Sequence, residues 1–189
     1  SVALAGGIPV KLNDPLGAGG QVQNFLINLD SNLVIYMADQ GPGSGNELYR
    51  VPLTGGAVTK VNDPLTSGGS VTRYDFTPFN EFVLYIADQE TNDINELFNT
   101  PLSSAGPATK PNETLAIGAD IWSYEITADS QYALYVADHD RLDRNDVYRA
   151  RLDGSDDPVR LSQGIAGDYY IYDMEVTPDS TWAIFEVSM

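Results

Sequence analysis

The run Asp138-His139-Asp140-Arg141-Leu142-Asp143 holds the densest group of side chains able to do chemistry in this chain. Three carboxylates so close in sequence offer hard oxygen ligands of the kind calcium takes. Asp138, Asp140 and Asp143 are therefore the candidate metal set, with calcium as the candidate ion. The segment Asp88–Asn95 is a paler copy. The spacing is not that of an EF-hand loop, which needs glycine at its sixth position. Arg141 and Arg144 stand ready to neutralise the same carboxylates. The competing reading is a solvated loop in which aspartate caps the turn.

Catalytic chemistry has little to build on. His139 is the one histidine, and there is no cysteine. Disulfides, thiolate nucleophiles, zinc–thiolate sites and multi-histidine metal sites are all excluded within this chain. No G-x-S-x-G elbow occurs, and Gly43-Ser44-Gly45 reads as a flexible loop. His139 is expected on an exposed loop, and the chain by itself is expected not to be an enzyme. Asp75, Glu125 and Glu175 recur at one position, where like charges need a compensating cation, water or donor. Tyr36, Tyr85, Tyr135 and Phe185 recur as core. Tyr169, Tyr170 and Tyr172 do not recur as a set, which leaves packing or a stacking patch for a glycan or peptide.

These residues sit inside a repeat. Lys-x-Asn-Asp/Glu-x-Leu occurs at Lys11–Leu16, Lys60–Leu65 and Lys110–Leu115, with a decayed copy at Arg160–Ile165. Tyr-x-Ala-Asp occurs at Tyr36–Asp39, Tyr85–Asp88 and Tyr135–Asp138. A period near 50 residues points to a solenoid or a propeller. Within one unit, Val71–Thr77 is rich in β-formers, Phe82–Ala87 is an apolar run suited to a strand buried on both faces, and Glu96–Pro101 is a third strand before Ala108–Lys110. The expected fold is all-β: a β-propeller of four-stranded antiparallel blades over units 21–61, 71–110, 121–161, and 169–189 plus 1–12. In that arrangement the long polar loops share one face. Asp39, Asp63, Asp88, Glu90, Asp93, Glu113, Asp120 and Asp168 fall on them, and recognition is expected there. Recurrence of Asp39, Asp88 and Asp138 also fits a blade-level hydrogen bond to the following loop.

Asp75-Phe76-Thr77-Pro78, Glu125-Ile126-Thr127-Ala128-Asp129 and Glu175-Val176-Thr177-Pro178-Asp179 resemble the TolB-like bacterial propeller repeats, as do Glu47-Leu48-Tyr49, Glu96-Leu97-Phe98 and Gly55-Gly56. The resemblance spans nearly the whole chain. It departs at Asn80, Ser130 and Ser180, where the family pattern has glycine. It implies a propeller scaffold, a partner platform or an accessory domain of a larger hydrolase or lyase. It also implies an extracellular, periplasmic or cell-surface setting.

Residues 1–12 match the last two strands of a unit and 169–189 the first two, so a four-bladed ring closed two-plus-two by the termini is expected. The alternative is a run from a larger ring. The alignment of Val2–Gly7 with Val51–Gly56 reads Ala3-Leu4-Ala5 as repeat rather than secretion signal, and the chain as a processed product or excerpt. A net charge of −17 repels nucleic acid and anionic lipid, and no apolar run reaches the roughly 18 residues of a membrane-spanning helix. The expected role is a non-enzymatic binding or scaffold module for a protein or glycan partner, or a unit that assembles with copies of itself.

Overall fold

The computed structural model describes residues 1–40, 45–103, 106–139, 144–165 and 169–188, and none of these is helical. The first sheet contains β1 (Gln21–Ile27), β2 (Leu33–Asp39), β3 (Glu47–Pro52) and β4 (Thr59–Lys60) in that order. The second contains β5 (Val71–Phe76), β6 (Phe82–Ala87) and β7 (Glu96–Pro101). A single Asn99–Thr109 bridge stands in the place of its fourth strand. The third contains β8 (Ile121–Ile126), β9 (Tyr132–Ala137), β10 (Asp146–Arg151) and β11 (Val159–Arg160). β12 (Tyr170–Val176) and β13 (Ala183–Ser188) form a two-stranded sheet. All pairings are antiparallel.

The second strand of each of the three larger sheets is almost wholly buried, with both alternating sets of side chains apolar. In β6 and β9 the two sets pack against a sheet on either side. Ile35, Met37 and Leu48 pack with Val71, Tyr74 and Tyr85 of the next sheet. Leu84, Ile86 and Leu97 pack in the same way with Ile121, Tyr124 and Tyr135. Leu134, Val136 and Val147 pack with Ile171, Met174 and Phe185. Within a sheet, strand-two tyrosine stacks on a strand-three aromatic: Tyr36 on Tyr49, Tyr85 on Phe98 and Tyr135 on Tyr148, with centroids 5.4, 5.5 and 5.3 Å apart.

Every first strand carries a one-residue irregularity at the same place, between Val22/Asn24, Val71/Arg73, Ile121/Ser123 and Ile171/Asp173. A bulge of this kind leaves one residue unpaired and re-aims its side chain. The turn after each first strand is also repeated. Thr77, Thr127 and Thr177 accept the N–H of Phe82, Tyr132 and Trp182 through Oγ1 at 3.0–3.1 Å. Ser31, Asn80, Ser130 and Ser180 adopt φ of 54–60° there. That is the left-handed region, which explains why glycine is the usual residue. Here the side chain has a use: Asn80, Ser130 and Ser180 accept the N–H of Leu29, Phe79 and Asp129, each in the preceding turn.

The two-plus-two closure is not formed. Residues 1–12 make no strand and do not pair with β12–β13. Ser1 and Val10 exchange backbone hydrogen bonds, Ser1 Oγ donates to Leu53 O, and Leu12 packs on Val34 and Tyr36 of the first sheet. Ser1–Val10 matches the Arg50–Thr59 pair, so residues 1–12 supply a fourth strand and only the end of a third. Nothing among the described residues bridges them to the edge of β13. Phe25 is 62% exposed where Tyr74, Tyr124 and Met174 are buried, and Ile184 is 64% exposed where Ile35, Leu84 and Leu134 are buried.

Candidate functional site

The recurrent aspartates turn inward. Asp88 accepts the N–H of Ser70 at 2.5 Å and of Asp93 at 3.2 Å, and Asp138 accepts the N–H of Asp120 at 2.6 Å. Both are buried. Each carboxylate thus ties the end of strand two to the entry of strand one, and Asp88 also reaches the following loop. Asp120 in turn accepts the backbone and side-chain N–H groups of Asn95 at 2.7 and 3.1 Å. Asp39 closes β2 half-buried. Of the loop carboxylates, Glu90, Asp93 and Glu113 are exposed. Glu90 pairs with Lys110 at 2.7 Å and Glu113 lies 3.4 Å from His139 Nε2. Asp140, Asp143 and Asp168 lie outside the described residues. Among the described residues no group of three acidic, histidine or cysteine side chains is placed to hold a metal. His139 is not on an open loop: its ring lies 5.7 Å from that of Tyr148, and its side chain is largely covered.

The Lys-x-Asn motif has a partner that the motif itself does not reveal. Lys60 pairs with Glu47 at the head of β3, and Asn62 Oδ1 accepts the N–H of Leu48 at 2.7 Å. Lys110 pairs with Glu96 at 3.3 Å, and Asn112 Oδ1 accepts the N–H of Leu97 at 2.9 Å. The decayed copy keeps the function: Arg160 pairs with Asp146 at 2.7 Å, and Ser162 Oγ accepts the N–H of Val147 at 3.2 Å. Glu47, Glu96 and Asp146 share the period, and that was the available signal. Burial alone would raise the Asp146 carboxyl. Hydrogen bonds from Ser162, Tyr169 and Arg144 and the charge of Arg160 outweigh it and hold the group below 3.8. Tyr169 is thereby fixed in the core, donating to Asp146. Burial pulls Lys110 down, but Glu90 and Glu96 outweigh it and leave it raised.

A second surface forms along the first strands. The bulge aims Trp122 of β8 and Tyr172 of β12 outward at equivalent positions, 60% and 69% exposed. These two strands are in contact. Glu125 and Glu175 lie on the same two strands and Asp75 at the matching place on β5. Arg73 is the compensating donor, 3.4 Å from Asp75 and 3.9 Å from Glu125, with its guanidinium 4.3 Å above the Tyr124 ring. Tyr124 also donates to Asp75 at 2.9 Å. Burial raises the Glu125 carboxyl above 4.5, Arg73 opposes it, and Asp75, Asp173 and Glu175 add to the rise. Exposed aromatic faces on strands that also carry partly compensated carboxylates suit a ligand that is both flat or cationic and rich in donors.

No protein-family model matches the sequence, and no curated protein matches it. Among solved structures, the crystal structure of the tricorn protease matches with a TM-score of 0.63 over 90% of this chain, at 15% sequence identity. The fold is propeller-like. The match spans 15% of the tricorn protease chain, and at that identity the likeness speaks for fold alone.

Proposed function

We propose that the chain is a non-enzymatic binding module built of TolB-like propeller repeats, and that it holds a basic segment of a protein partner on its first-strand surface. The observation that carries this reading is the pair Trp122 and Tyr172, exposed at the same bulge position in adjoining strands that also carry the mutually coupled carboxylates Glu125, Asp173 and Glu175. Lysine and arginine side chains gain from an aromatic face and from carboxylates beside it. A net charge of −17 steers a basic partner toward the molecule. The TolB-like resemblance adds a setting outside the cytoplasm.

Trp122 and Trp182 are the two tryptophans, so a Trp182→Phe background leaves Trp122 as sole reporter. Titration with an Arg/Lys-rich peptide is expected to give a saturable fluorescence change that weakens with salt. No change contradicts the reading. A salt-insensitive response to neutral oligosaccharides instead moves it to a glycan partner. Turnover by the pure chain that is lost in His139→Ala contradicts the non-enzymatic part. The exposed apolar residues Phe25 and Ile184 favour a second reading, self-assembly through copies; concentration-dependent sedimentation tests it.

A further inference from the structure

We infer that Ser123 leaves open, between Glu125 of β8 and Glu175 of β12, a seat for the guanidinium group of an arginine supplied by a protein partner. The inference rests on the binding surface proposed above and names the side chain which that surface selects.

The chain fills the same seat once by itself. The position just after the irregularity of each first strand holds Asn24, Arg73, Ser123 and Asp173 in chain order. Only on β5 is it a cation. Two residues on stand Leu26, Asp75, Glu125 and Glu175, paired in one register with Ile35, Leu84, Leu134 and Ile184. From β5, Arg73 reaches Asp75 of its own strand at 3.4 Å and Glu125 of the next first strand at 3.9 Å, with its guanidinium over the Tyr124 ring. One planar cation thus spans two carboxylates on neighbouring first strands. One sheet further on, the two carboxylates are Glu125 and Glu175. The residue placed to span them is Ser123, which is neutral and too short.

The open copy also lacks the other donor of the filled one. Tyr124 donates to Asp75 at 2.9 Å, whereas Met174 stands at the matching place on β12 and has no hydroxyl to give. Among the described residues the carboxylates of Glu125 and Glu175 accept no hydrogen bond, and Glu125 keeps only the longer arm of Arg73. Both are exposed, and the strands that carry them are in contact. The charges of Asp173 and Glu175 bear on Glu125 and help to raise its carboxyl, so a cation seated here relieves a repulsion that the chain itself leaves uncompensated. Trp122 and Tyr172 are exposed just ahead of Ser123 and Asp173, where β5 has Thr72. They offer rings to a cation on the two strands where the Tyr124 platform has given way to Met174. Arginine fits this better than lysine. Its planar fork bonds two carboxylates at once and lies flat on a ring, whereas an ammonium group is a point charge.

The test uses the intact chain and two end-capped peptides, Ser-Arg-Ser-Arg-Ser and Ser-Lys-Ser-Lys-Ser, titrated by calorimetry at low salt. The arginine peptide is expected to bind about tenfold more tightly than the lysine peptide. Ser123→Arg supplies the missing side chain from within, as Arg73 does on β5, and is expected to weaken binding of the arginine peptide about tenfold. Ala128→Arg adds the same charge at an exposed turn and is expected to change that affinity by less than about threefold. Glu175→Gln removes one acceptor and is expected to abolish most of the preference for arginine; it decides the matter if Ser123→Arg lowers the melting temperature. Equal binding of the two peptides, equal weakening by Ser123→Arg and Ala128→Arg, or a preference kept intact in Glu175→Gln overturns the arginine seat. The basic-segment reading then still stands if Trp122→Ala weakens both peptides. Absence of binding by either peptide overturns both.

Discussion

Asp138 carries its charge inward, onto the N–H of Asp120. Replacing it with alanine leaves a covered donor unpaired, at a cost of about 1–3 kcal/mol. Asp138→Asn keeps an acceptor and should cost less; urea denaturation of both variants checks the order. Asp138 Oδ1 is thus engaged by the backbone; if that is its whole role, calcium is expected to raise the melting temperature no more than magnesium at matched ionic strength, whereas a larger rise with calcium marks a specific site. Asp146 gives a pH signature. Its folded carboxyl is held below 3.8, so the stability it contributes is full above the ordinary carboxylate range and is lost as pH falls through the folded value. The stability difference between wild type and Asp146→Asn should stay constant from neutral pH into mild acid, then shrink below about pH 4. Denaturant melts across that range measure it. The single-residue roles were only partly legible in sequence. Recurrence at one register marked Asp88 and Asp138 as structural, but not that they reach Ser70 and Asp120, which requires knowing how strand one enters the sheet. The Lys-x-Asn motif was plain, yet its acid lies 13 to 14 residues upstream on a different strand.

At the scale of elements, the turn after each first strand links neighbouring sheets. Ser130 spends a left-handed conformation to place its hydroxyl on the N–H of Phe79, 3.1 Å away. Ser130→Ala keeps the strained backbone and loses the link, a loss of about 0.5–1.5 kcal/mol. Ser130→Gly loses the link too but removes the strain of about 1–2 kcal/mol, so it should lie close to wild type and above the alanine variant. Thermal denaturation of the pair checks the order. The strands themselves were readable because a run such as Phe82–Ala87 is apolar on both alternating faces. The bulges were not. One extra residue in a seven-residue strand such as β12 leaves its composition unchanged, yet it sets two exposed residues, Tyr172 and Asp173, instead of one between the buried Ile171 and Met174. The candidate surface therefore had to be found in the structure, although Tyr170 and Tyr172 were marked as non-recurring aromatics.

For the whole molecule, the period near 50 residues made the repeating architecture legible, because each sheet buries its face only against the next. Ring closure was not legible in the same way. Matching the two termini to the two halves of a unit counted strands without locating the third, and the third is what joins strand two to strand four. Apolar faces at Phe25 and Ile184 are exposed in the described structure, which carries a net charge of −17. Any association through those faces should strengthen with salt, as repulsion is screened, whereas binding of a basic segment at Trp122 should weaken. The most direct test of the binding account is the affinity of an Arg/Lys-rich peptide for wild type, Trp122→Ala and Tyr172→Ala, measured by calorimetry at low salt. The account expects each substitution to weaken binding about threefold to tenfold, with melting temperatures unchanged because both side chains are exposed. Equal affinity in all three proteins would contradict it.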